Sequence, residues 1–61
     1  MKLIELLKVI ICSEMVRGYT LNGNLLFSCV PAEVGREYYD TKVLYVEIDG
    51  TGAFCIGLNL S

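Results

Sequence analysis

A guanidinium set beside aromatic rings can clamp a phosphate and stack a planar base. Arg17, Tyr19 and Tyr45 are the residues of this chain whose types and spacing allow that. Arg36 with the adjacent Tyr38 and Tyr39 could close the rim of such a pocket, and a symmetric interface would duplicate it. Other chemistry is poorly supplied. There is no histidine, so a cysteine or serine nucleophile would lack its usual base. The seven acidic residues are dispersed, and no pair is spaced for acid–base work. Cys12, Cys29 and Cys55 form no Cys-x-x-Cys motif, which argues against zinc and for reduced, buried thiols. Asp49-Gly50-Thr51-Gly52 has the glycines of a phosphate or calcium loop. It lacks the Lys-Ser/Thr and following helix of the one and the further acidic ligands of the other. A turn accounts for it better. The expectation is a non-enzyme with no cofactor and no metal.

Size sets the next constraint. At 61 residues the chain is one domain, 1–61, able to bury only about 60% of the surface its unfolded form exposes. Ordering costs roughly 1.5 kcal/mol per residue, so burial and entropy nearly cancel. The composition, 54% hydrophobic, offsets this in part, and self-association is the expected remainder. Net charge is −2 and the five basic residues are scattered, which does not fit a duplex nucleic-acid binder dependent on phosphate neutralisation. The N-terminal apolar run is broken by Glu5 and Lys8 and has bulky residues before Cys12, unlike a lipoprotein signal. It is too short to span a bilayer. A cytoplasmic protein is expected, without membrane association.

The elements that must position these side chains can be read in order. Over residues 2–11, Leu3, Ile4, Leu6, Leu7, Ile10 and Ile11 fall within an arc of about 160° at 100° per residue, which predicts a helix. The β-branched Val9-Ile10-Ile11 run predicts early fraying. Asn22-Gly23 between apolar segments predicts a hairpin with a two-residue loop, pairing Tyr19 with Leu26, Arg17 with Ser28 and Met15 with Val30. Gly18 then opposes Phe27 and makes room for its ring. Pro31 ends the second strand, and residues 31–40 form a crossover with one or two helical turns. Residues 42–48 and 53–60 form a second hairpin, with a three-residue loop at Gly50-Thr51-Gly52 that sets Phe54 beside Ile48. The predicted fold class is α+β: the N-terminal helix packed on a four-stranded antiparallel sheet of two hairpins, α-β-β-short α-β-β. A half-open barrel of the same hairpins is the alternative.

One helix covers one face of a sheet. The other face is expected to carry Met15, Arg17, Tyr19, Leu21, Leu26, Val30, Val43 and Tyr45, and an apolar face of that extent marks an interaction surface. It serves either as a homo-oligomer interface made for stability alone or as an interface that also forms the ligand pocket.

The segments Met1-Lys2-Leu3, Leu6-Leu7, Gly23-Asn24-Leu25-Leu26-Phe27 and Val43-Leu44-Tyr45-Val46-Glu47-Ile48 resemble a loose group of small proteins from phages and prophages of Gram-positive bacteria. The chain departs from that group after the helix, where Val9-Ile10-Ile11-Cys12-Ser13 replaces an acidic stretch. The resemblance carries over no functional residues. It implies a setting inside a bacterial host cell, where small non-enzymatic proteins antagonise immunity by sequestering a nucleotide second messenger or by binding an effector. The expected function is accordingly an oligomeric binding protein that holds a small nucleotide. Its alternatives are a protein-binding, anti-CRISPR-like inhibitor of a host defence protein, or a structural module that pairs only with itself.

Overall fold

The computed structural model describes residues 1–61. Helix α1 spans Leu3–Leu7, shorter than the predicted 2–11. Five residues cannot sustain a helix alone. This one is held by burial of Leu3 and Leu7 and by Glu5, whose carboxylate accepts the Lys2 backbone N–H at 2.8 Å. After Lys8 the β-branched run leaves the helix, and Val9 and Ile11 are exposed.

The strands are β1 (Val16–Tyr19), β2 (Leu25–Cys29), β3 (Val43–Ile48) and β4 (Phe54–Leu58). They form a four-stranded sheet in the order β2-β1-β4-β3. The sheet is mixed, which corrects the expected all-antiparallel arrangement: β1 pairs antiparallel with β2 and β3 with β4, but β1 and β4 run parallel. The parallel pairing makes the chain leave β2 at one end of the sheet and enter β3 at the other. Residues 31–42 must therefore traverse the sheet. They do so through two 3₁₀ turns, Pro31–Glu33 and Arg36–Tyr38, in place of an α-helix. β1 and β4 take the centre. Val16 and Gly18 of β1 and Ile56, Gly57 and Leu58 of β4 are buried.

Leu3, Leu7, Val16, Val34, Ile56 and Leu58 form the core on the helix side. Phe27 lies over Gly18, as its position opposite that glycine predicts, and its ring centroid is 5.3 Å from that of Tyr38. No helix is long and apolar enough to cross a membrane.

Both tight loops are built alike. Asp49 N–H donates to the Ala53 carbonyl at 3.0 Å, Gly52 N–H to the Asp49 carbonyl at 3.1 Å, and Gly52 has φ +89°. This is the predicted three-residue loop with a left-handed glycine at its end. The first loop repeats it and so differs from the predicted two-residue form. Thr20 N–H donates to the Asn24 carbonyl, Gly23 N–H to the Thr20 carbonyl, and only Gly23, not Asn22, has positive φ. The extra loop residue shifts the register by one. A bulge in β2 shifts it back, so that Tyr19 faces Leu25 while Gly18 faces Phe27 and Arg17 faces Ser28.

Candidate functional site

On the sheet face away from α1, two cross-strand rows run side by side. One is Ser28–Arg17–Cys55–Glu47 and the other Leu25–Tyr19–Gly57–Tyr45. Arg17, Tyr19 and Tyr45 therefore share one face, as the alternation along their strands predicts. Gly57 sits between the two tyrosines, and the Tyr45 ring lies over it, where a side chain would otherwise stand. Met15 and Leu25 extend the surface and are exposed.

Other predicted members fall elsewhere. The bulge in β2 puts Leu25 on the outer face and turns Leu26 against the core. A second irregularity in β3 puts Val43 opposite Leu58, also against the core, and leaves Leu44 exposed. Each extra residue inverts the alternation beyond it, so Leu26 and Val43 are not part of the outer surface. Val30 is half-buried just beyond β2, and Leu21 is exposed on the first loop. Tyr38 and Tyr39 do not close a rim over Arg17. They pack in the helix layer, Tyr38 on Phe27 and Tyr39 beside α1, where its carbonyl accepts the Ile4 N–H at 3.0 Å. Arg36 lies on the same crossover, exposed. Tyr39 instead lines a cavity of about 320 Å³ with Ile4, Leu7, Lys8, Ile10 and Pro31, on the opposite side of the sheet from Arg17.

Arg17 is already engaged. Its Nη1 is 2.8 Å from Asp49 Oδ2, and its Nε donates to Ser28 Oγ at 3.3 Å. Asp49, which its sequence context marks only as a turn residue, is the hub of these bonds. Its Oδ1 accepts from Thr51 N–H (2.8 Å), Thr51 Oγ (2.6 Å) and Ala53 N–H (3.1 Å). The Cys55 thiol lies 3.8 Å from Oδ2. The legible signal was an aspartate two residues before a threonine at the head of a glycine loop, the pattern in which a side chain ties down its own turn.

These bonds favour the carboxylate, and the Asp49 pKa lies below its ordinary 3.8 because of the Thr51 hydroxyl and backbone bonds first, then the Ala53 N–H and the Arg17 charge. A folded-state pKa below the unfolded one contributes stability that is present above the unfolded value and lost as pH falls through the folded one. The urea midpoint of the wild type should therefore fall more steeply than that of Asp49→Asn as pH drops below about 4. Parallel curves for the two proteins would contradict the assignment.

Comparison of the chain with protein-family models, with characterised proteins and with solved structures gives no match. The outer sheet face has aromatic and thioether side chains around a guanidinium whose charge is met within the fold.

Proposed function

We propose that this chain is a non-catalytic binding protein that engages another protein through the outer sheet face around Tyr19, Tyr45, Met15 and Leu25. In the phage setting implied by the resemblance, it would act inside the host cell as an inhibitor of a bacterial defence effector. The observation that carries this reading is the Arg17–Asp49 pair at 2.8 Å. A phosphate clamp needs an available cation. A protein interface is instead enriched in tyrosine, methionine and arginine and poor in unpaired charge at its centre.

Sequestration of a nucleotide is the second reading, supported by the shared face of Arg17, Tyr19 and Tyr45. It requires a phosphate to displace Asp49 from Arg17, or to share the guanidinium with it.

One comparison separates the two. Immobilised wild type and a Tyr19→Ala/Tyr45→Ala variant are exposed to host lysate, and both proteins are melted against a panel of cyclic di- and trinucleotides and ADP-ribose derivatives. The protein-binding reading expects a stoichiometric host protein that the double variant no longer retains, with no nucleotide raising Tm. A nucleotide that raises Tm in the wild type but not in Arg17→Ala would transfer the function to the second reading. A saturating ligand should add a few kcal/mol, and at roughly 4–8 °C per kcal/mol in so small a domain that is a rise of about 10 °C or more.

A further inference from the structure

We propose that the exposed edge of β3 pairs with β3 of a second copy of this chain, antiparallel and with Val46 opposite its own counterpart, joining two sheets into one of eight strands. The two surfaces meet at Tyr45, whose ring stands on the face proposed above to bind a partner; the edge is argued from its backbone groups and its register, and neither proposal depends on the other.

The backbone directions define what the edge offers. Asp49 N–H points to β4, where it donates to the Ala53 carbonyl. Peptide groups alternate along a strand, so Glu47 and Tyr45 also face β4, in line with their pairing to Cys55 and Gly57. Val46 and Ile48 then turn their N–H and C=O groups away from the sheet. The beginning of the same edge is already covered, since Val43 N–H donates to the Met1 carbonyl at 2.8 Å and Lys2 bridges to Lys42. The open stretch is therefore residues 44–48.

That stretch lacks the features that keep an edge from pairing. It has no proline and no lysine, and its one charge, Glu47, shares the outer face with Cys55. Its bulge lies at its start, whereas the bulge of β2, the other edge, falls within that strand. Val46 is 40% exposed and Ile48 66%, although both stand in register with core-side residues, Ile56 and Phe54. Backbone donors and acceptors in a row, bordered by uncovered aliphatic side chains, call for a strand as occupant.

The sequence of the edge identifies which strand. Leu-Tyr-Val-Glu-Ile read backwards keeps its pattern, with aliphatic residues at both ends and the centre and polar-headed ones between. Antiparallel self-pairing about Val46 sets Leu44 opposite Ile48 and Tyr45 opposite Glu47, so that a phenol hydroxyl meets a carboxylate. Moving the centre one residue toward the C-terminus would set Glu47 against itself, a like-charge pair that destabilises a sheet, and moving it one residue the other way would need Val43 and Lys42, whose edge is already taken by Met1 and Lys2. The Val46-centred register also lets the two central residues exchange both backbone bonds.

The test is the mass of the full chain by analytical ultracentrifugation from micromolar to millimolar concentration, with amide exchange by NMR on the same samples. We expect a monomer–dimer equilibrium and amides of Val46 and Ile48 that become protected as the dimer fills. Val46→Pro deletes an outward N–H, which an edge strand tolerates, and should weaken the dimer by about tenfold or more with the circular dichroism of the wild type. A monomer throughout the range overturns the proposal. So does a dimer whose Val46 and Ile48 amides exchange as fast as in the monomer, or one that Val46→Pro leaves intact. If Val46→Pro does not fold, the wild-type exchange pattern decides.

Discussion

Leu3→Ala should remove most of the stability this fold possesses. Truncating a buried leucine costs about 2–5 kcal/mol, and a single core of this size rarely supplies more than about 3–5 kcal/mol in all. Leu3 belongs at the costly end of that range. It is fully buried, and it anchors a five-residue helix that has no stability of its own. Its N–H donates to the Thr41 carbonyl at 2.9 Å, and the next N–H, of Ile4, donates to Tyr39. The same turn thus fastens the crossover and, through Met1 and Lys2, the start of β3. Loss of the side chain loosens three segments together. Urea unfolding followed by circular dichroism should show the midpoint of Leu3→Ala close to zero denaturant. Val9→Ala, in a residue 75% exposed on the same segment, should change stability by no more than about 0.5 kcal/mol. A Leu3→Ala midpoint equal to that of the wild type would mean that α1 is not part of the cooperative unit.

The same residues show how far the sequence could be read. The α+β class, the positions of the four strands and the loop at Gly50-Thr51-Gly52 follow from alternation and turn chemistry, which are local. Whether β1 and β4 run parallel is set by how residues 31–42 return across the sheet, and no local pattern encodes that path. The misplaced surface residues have a narrower cause. Leu25-Leu26 and Val43-Leu44 are adjacent apolar pairs, so either member can face the core, and the choice rests on a bulge that alternation does not mark. Arg17, Tyr19 and Tyr45 share a face because the β1–β4 register is unbroken at that point and Tyr45 pairs with Gly57 beyond the irregularity in β3. Asp49 was legible as a turn residue but not as the partner of Arg17, because 32 residues and the β1–β4 pairing separate the two.

Gly18→Ala should be far more damaging than Gly57→Ala, although both glycines are buried in central strands beneath an aromatic ring. A Cβ at Gly18 would lie 2.3 Å from Phe27 Cε2 and 2.4 Å from Cζ. Phe27 packs against Tyr38 and the core, so swinging aside would give up those contacts. Either the ring leaves the core or β1 moves, and overpacking of this kind costs about 1–3 kcal/mol, enough to consume much of a total of about 3–5 kcal/mol. At Gly57 the obstacle is the Tyr45 ring, as close as 2.0 Å to the added carbon. Tyr45 stands on an edge strand and is 46% exposed, so the ring can turn into water. Alanine is also intrinsically better than glycine in a strand by about 0.5–1 kcal/mol, which offsets part of the lost contact. Gly57→Ala should therefore fold and change chiefly the outer face, whereas Gly18→Ala should be largely unfolded at 37 °C. Adding Phe27→Leu to Gly18→Ala should restore part of the urea midpoint, a coupling of about 0.5–3 kcal/mol between touching residues. Purely additive effects of those two substitutions, or a Gly57→Ala protein less stable than Gly18→Ala, would contradict the packing of Phe27 over Gly18 on which the helix side of the sheet is built.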